Sequence, residues 1–198
     1  MARNQRVSLE RVAREARACR VCEAALPHAP RPVFRVGAGA RLLIVGQAPG
    51  RRVHETGIPW NDPSGDTLRG WLALEREAFY DTAHIAILPT GLCYPGTVHG
   101  GDLPPRPECA PLWHARFRAA LPEVRLTLLV GQYAQAHYLG AARKPTLTET
   151  VHAFRAYLPE NFPLPHPSWR NKGWARRNPW FEAEVIPALR RAVRTALR

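Results

Sequence analysis

Leu42-Leu43-Ile44-Val45 and Leu126-Thr127-Leu128-Leu129-Val130 are short apolar runs, each closed by a glycine. Four or five such residues with a glycine stop read as buried strands. Ile85-Ala86-Ile87-Leu88 reads as a third. Elsewhere the apolar spacing changes to three and four. Residues 7 to 18 form an amphipathic pattern that Ser8 can cap, with Leu9, Val12, Ala13 and Ala16 along one face. Helix is also expected over 66 to 78, with Leu68, Trp71 and Leu72 inward and Asp66 as the better-placed cap. Further helices are expected over 109 to 120, from Gly131 through Leu139, over 147 to 157 and over 179 to 197. Between these elements lie a proline-rich stretch, Pro27 to Pro32, and a long Gly/Pro-rich loop, Pro95 to Pro107.

Strands alternating with helices imply an α/β fold around a largely parallel sheet. Ligands collect at the carboxyl ends of such strands, and Gly46-Gln47-Ala48-Pro49-Gly50 lies at one of those ends. The 198 residues suit a single domain, with no internal repeat and no low-complexity linker. The apolar runs are too short to span a bilayer. The N-terminus has no apolar signal region, so a cytoplasmic location is expected, with no membrane partner.

Charge adds a first hint of function. Twenty-eight Lys and Arg face sixteen Asp and Glu, a net charge of +12, and only Lys144 and Lys172 are lysines. Such a surface attracts polyanions, although a preference for Arg codons would also produce it. The distribution is more telling. From His166 to Arg198 there are eight basic residues and two acids, a lopsided tail suited to a nucleic-acid backbone.

Two motifs carry the candidate chemistry. Glycine and proline after a buried strand hold an exposed turn whose amides can face an anion or a carbonyl. His166-Pro167-Ser168-Trp169-Arg170-Asn171 follows roughly 120 residues later. Each alone is a modest signal; an ordinary turn and a loop histidine are the plain readings. Together, in this order and at this separation, they resemble the uracil-DNA glycosylase superfamily, from about Cys19 to Asn178. The continuation Lys172-Gly173-Trp174 is similar to the single-strand-selective branch.

The resemblance implies a three-layer α/β/α fold with a central, mainly parallel four-stranded sheet. It also implies a monomeric base-excision repair enzyme acting on DNA that contains uracil or other deaminated bases. Such an enzyme flips a nucleotide out of the stack and cleaves its N-glycosidic bond. The first motif, Gly46, Gln47, Ala48, Pro49 and Gly50, then supplies the base-binding and water-handling loop. His166 is the expected donor to a base carbonyl, and a neutral imidazole suffices for that. Ser168, Trp169, Arg170, Asn171 and Lys172 are expected to contact DNA, with Trp169 and Arg170 where a wedge would enter the duplex.

The expected anion is displaced. Relatives with Asp or Asn at the third position of the first motif differ from this chain, which has Ala48. Families 4 and 5 also carry Ala there, and family 5 has a downstream Asp-Ala-Ser-Gly element that Asp62-Pro63-Ser64-Gly65 resembles. Asp62 is thus expected to orient water and stabilise a cationic sugar, against a plain reading as a helix cap. Gln47 stands where family 4 has Glu; it can position water or bond the base edge. Trp60 falls where relatives stack an aromatic on the base, with core packing as the competing role and Tyr94 as a second candidate. Leu88-Pro89-Thr90-Gly91-Leu92-Cys93 lacks the Asn that reads uracil in relatives, so base selection would fall to backbone groups or Asn61.

Four cysteines remain. Cys19 and Cys22 form a chelating Cys-x-x-Cys pair, and Cys93 and Cys109 make up a four-thiolate set. Spacing does not separate zinc from iron–sulfur, or either from four unrelated thiols. The resemblance implies a [4Fe-4S] cluster, because related branches also place fifteen residues between the last two cysteines, as this chain does. Two further readings of the whole stand beside the enzyme. One is a protein that binds uracil or abasic DNA without turnover. The other is a covalent trap, for which Arg51-Arg52-Val53-His54 is faintly suggestive.

Overall fold

The computed structural model describes residues 8–98, 100–168 and 172–198. Ser8 accepts the Arg11 N–H and starts α1 (Leu9–Arg17), which buries Val12, Ala13 and Ala16 as its periodicity requires. β1 (Leu42–Val45) ends at Gly46 and is followed by three helices, α2 (Arg51–Thr56), α3 (Pro63–Leu72) and α4 (Arg76–Phe79). Next come β2 (Ile85–Ile87) and a hairpin of β3 (Thr97–Val98) and β4 (Gly101–Asp102). Then follow α5 (Cys109–Ala120), β5 (Leu126–Val130), α6 (Gln132–Leu139), α7 (Leu147–His152) and β6 (Asn161–Leu164). α8 (Lys172–Arg177) and, after a π-helical turn at Phe181–Val185, α9 (Ile186–Leu197) close the chain.

Four strands form one parallel sheet in the order β2-β1-β5-β6. Every residue of β1, β2 and β5 is buried, as a parallel sheet covered on both faces demands. Alternate residues feed alternate layers. Leu42 and Ile44 pack with Leu68, Leu72, Leu189 and Val193 of α3 and α9. Leu43 and Val45 pack with Val12, Ala16, Trp113 and Phe117 of α1 and α5. The expected three-layer α/β/α architecture is the one observed.

Both sheet edges are managed. Pro163 sits within β6 opposite Leu129; a residue without an N–H is tolerated because β6 is the outer strand. At the other edge Arg35 exchanges two backbone hydrogen bonds with Ile87, at 2.9 and 2.7 Å. Among the described residues no helix is long and apolar enough to cross a membrane.

Several expected boundaries move. The segment 66 to 78 is two helices, because Ala73 turns left-handed (φ 53°) and ends α3. The cap of α3 is Asp62, whose Oδ1 accepts the Gly65 N–H at 2.8 Å; Asp66 lies inside the first turn and pairs with Arg69. The helix over 147 to 157 stops at His152 and continues only as a 3-10 turn, Phe154–Tyr157. The Pro95 to Pro107 loop contains the β3–β4 hairpin, which short polar strands had concealed.

Candidate active site

The strand order explains how segments 120 residues apart in sequence come together. β1 and β6 flank β5, so the loops leaving their carboxyl ends are separated by one strand. That strand ends in Gly131, with φ 90°. A Cβ there would lie 3.4 Å from Gln47 Nε2 and 3.6 Å from the His166 Cβ. The first and second motifs therefore meet over a residue that has no side chain to keep them apart. Together they line a cavity of about 290 Å³ with Pro59, Trp60, Asp62, Ser64, Pro89, Asp102, Leu103 and Ser168, among others.

The loop after β2 grips the first motif. The Thr90 hydroxyl donates to the carbonyls of Gly46 (3.0 Å) and Gln47 (2.6 Å). The Thr90 and Gly91 N–H groups reach the same two carbonyls at 3.0 and 2.7 Å. His114 braces that loop from below. Its Nε2 lies 3.1 Å from the Pro89 carbonyl and its Nδ1 3.0 Å from the Tyr138 hydroxyl. Burial pulls the His114 pKa down to about 4, so the neutral tautomer donates from Nε2 and accepts from Tyr138.

Trp60 is held in an unusual backbone state, with φ 57°, which costs about 1 kcal/mol or more for a bulky residue. Its carbonyl accepts from Arg69 at 3.3 Å and lies against Gly65, where a Cβ would come within 1.8 Å. Its indole covers Gly46, where a Cβ would stand 2.8 Å from Cζ2. The ring also lies beside the His166 imidazole, with centroids 5.6 Å apart. Trp60 thus packs against the core and faces the cavity at once. Burial pulls the His166 pKa below the usual histidine value, with the Asp62 and Asp102 carboxylates opposing.

Other expected residues fall elsewhere. Asn61 does not line the cavity; its Oδ1 accepts from Arg76 at 2.9 Å. Tyr94 is buried and stacks on His28 and His54, away from the cavity walls. His54 shares that cluster and is likewise not a cavity residue. Trp169, Arg170 and Asn171 lie outside the described residues, as does the Lys172 side chain. Within the basic tail, Arg190 is committed to structure, donating to the carbonyls of Trp71 (3.1 Å) and Gly70 (3.0 Å). Two cavity features were not read from the sequence. Asp102 and Leu103 reach the cavity only because the hairpin folds back, and an acid inside Gly-Gly-Asp-Leu-Pro-Pro gives no periodic signal. Thr90 and His114 act through backbone carbonyls, which no side-chain motif records.

Cys19, Cys22, Cys93 and Cys109 line a second, small apolar pocket with Leu92 and Trp113. Burial pushes the Cys93 and Cys109 thiols up, to about 11 and about 12. Cys109 Sγ accepts the Leu92 N–H at 3.3 Å, and Cys22 lies 3.8 Å from Glu108 Oε2. Among the described residues no three His, Cys, Asp or Glu side chains form a metal-holding group as they stand.

Comparison with known proteins adds two findings. Residues 34–190 match the family model of the Uracil DNA glycosylase superfamily. A solution structure of a candidate uracil DNA glycosylase from Methanosarcina acetivorans is similar over 81% of this chain and 98% of its own, at 15% identity and a TM-score of 0.44.

Proposed function

The chain belongs to the uracil DNA glycosylase superfamily, and from that membership we propose that it hydrolyses the N-glycosidic bond of uracil, and of other deaminated bases, in DNA. The product is an abasic site. The observation that supports this reading is the meeting of Gln47 and His166 over Gly131, where both line one cavity of about 290 Å³. That volume is of the size that small-molecule sites use, about 300 Å³ and upward.

The chemistry follows from the walls. Cleavage leaves the bond's electron pair on the base and positive charge on the sugar. His166, whose pKa burial lowers, donates an N–H to the base carbonyl where negative charge grows, for which a neutral imidazole suffices. Asp62 has one oxygen on Gly65, which leaves the other for water and the cationic sugar. Gln47 bonds the base edge or the water. Gly46, Ala48, Pro49 and Gly50 form a close wall, and Trp60 offers a flat surface for the ring. Ser168, with Trp169, Arg170, Asn171 and Lys172, would hold the DNA. Among the described residues no lysine lines the cavity, and Lys172 is the one lysine near the motifs in sequence, which favours a monofunctional enzyme over one that cuts the strand through a Schiff base. We read it as a monomer of the cytoplasm.

The four-cysteine pocket suits a [4Fe-4S] cluster by donor chemistry: four thiols in an apolar shell, one already accepting a backbone N–H. Cys19, Cys22, Cys93 and Cys109 would hold it. Ligation would draw the thiols together, since they do not yet stand as a metal-holding group. When bound, the cluster supplies four metal–thiolate bonds that tie the segment after α1 to the loop before α5.

The test is direct. The protein is incubated with oligonucleotides carrying uracil, hypoxanthine or xanthine, and abasic sites are then opened with alkali. Cleavage at the modified base is expected. Retention of an intact uracil oligonucleotide without cleavage would favour binding without turnover.

A further inference from the structure

Asp102 is a second carboxylate in the cavity, delivered by an element that neither motif includes. It ends β4, in a hairpin whose base is fastened by the Leu103 N–H on the Gly96 carbonyl at 2.9 Å. One lobe of the carboxylate is fixed. The Thr97 hydroxyl lies 3.0 Å from Oδ1 and is also hydrogen-bonded to the Tyr94 hydroxyl. A carboxylate only accepts, so Thr97 gives its proton to Asp102 and receives that of Tyr94. Tyr94 is 5% exposed and wedged against His28 and His54. The chain of hydroxyls thus runs from a rigid anchor to Oδ1.

The other lobe bears on the first motif. Oδ2 lies 3.2 Å from where a Cβ of Gly50 would stand. Gly50 has φ −79° and ψ 175°, an extended conformation open to any residue. A side chain here would be tight for space, and the Asp102 carboxylate is what it would crowd. The first motif has Ala48 where some relatives carry an acid; Asp102 brings a carboxylate back to the end of the same loop. Asp62, by contrast, spends one oxygen on the Gly65 cap. Asp102 also remains solvent-exposed, as a group that takes water from bulk should be.

We propose that Asp102 is a catalytic carboxylate of this cavity, orienting the attacking water and receiving its proton, alongside Asp62. The inference rests on the glycosylase reading above. In the step, the bond from C1′ to the base nitrogen breaks with its electron pair on the base. The water oxygen forms the new C1′–O bond. The proton released by water passes to Asp102 and from there to solvent, and the base nitrogen takes up one proton in the net reaction. Thr97 is a positioning residue for the carboxylate.

Single-turnover excision from a uracil oligonucleotide tests this, with binding measured separately on an oligonucleotide carrying a tetrahydrofuran abasic analogue. Asp102→Asn is expected to slow excision about 100-fold, the low end for a lost acid–base group, with binding unchanged. Gly50→Ala pushes the carboxylate aside without removing it and should slow excision by about tenfold on the same principle. Thr97→Val should lower the rate and leave binding alone. Thermal melts establish that each variant is folded; if Asp102→Asn is not, Gly50→Ala and Thr97→Val decide. Wild-type-like rates in the folded variants would overturn the role of Asp102 while leaving the glycosylase reading intact. A wild-type protein that releases no base from any substrate would overturn both.

Discussion

The indole of Trp60 and the imidazole of His166 lie with centroids 5.6 Å apart and planes inclined by 31°. One ring comes from the turn before α3, the other from the loop after β6. Their contact joins the surface available for stacking to the group that donates to the base. Trp60→Ala should therefore reduce excision by about 10- to 100-fold, since base–aromatic stacking contributes about 1–3 kcal/mol. Trp60→Phe should keep most of the rate. Single-turnover kinetics on a uracil oligonucleotide distinguish the two.

Asp62 has two duties that different substitutions separate. Asp62→Ala removes the N-cap of α3 and should cost about 1 kcal/mol of stability in addition to most of the activity. Asp62→Asn caps as well as Asp and should lose activity with an unchanged melting temperature. Equal activity in wild type and Asp62→Asn would remove Asp62 from the chemistry. Gln47→Ala is expected to retain part of the rate, because an amide positions groups but takes no proton.

Thr90 is the clamp on the first motif. Thr90→Val deletes the hydroxyl that serves the Gly46 and Gln47 carbonyls. The stability cost should be about 1 kcal/mol, visible in urea denaturation. The excision rate should fall further than DNA affinity, since the loop is misplaced and not removed.

His114 makes stability depend on pH with a definite sign. Its folded pKa, about 4, lies below the ordinary histidine value near 6.5. The unfolded chain therefore binds more protons between these limits, and stability rises with pH. The contribution is complete above about pH 6.5 and is lost as pH falls toward 4, amounting to about 3 kcal/mol. His114→Gln, which still donates to Pro89 but does not titrate, should flatten the slope of denaturation free energy across this window.

The cysteine pocket predicts a colour. Protein purified without oxygen should absorb near about 400 nm and bleach on reduction. Cys93→Ser and Cys109→Ser should abolish the band. A colourless, metal-free and fully active protein would end the iron–sulfur reading.

How much of this was legible in the sequence depended on what kind of signal each element leaves. β1 and β5 are buried on both faces, so their apolar runs are continuous and their bounds came out almost unchanged. β6 was hidden because Pro163 argues against a strand; only its edge position makes that proline acceptable. The break at Ala73 was invisible because alanine is a good helix former, yet its left-handed backbone ends α3. Gln47, Asp62 and His166, which line the cavity, were singled out because the motifs that hold them resemble those of a known family. Asp102 was missed because it reaches the cavity through a two-residue hairpin. Asn61 was assigned to the base, but Arg76, fifteen residues on, captures its carbonyl oxygen. A pairing of that kind leaves no mark in spacing.

The strand order has a consequence for how the protein is made. β1, β2 and β5 emerge from the ribosome before β6, which is the outer strand next to β5. Long-range parallel pairing of this kind is late and slow. Until β6 docks, the cavity lacks His166 and Ser168, the two lining residues that follow that strand. A nascent chain, or one truncated before residue 166, would therefore lack both the His166 imidazole and the basic tail that follows it.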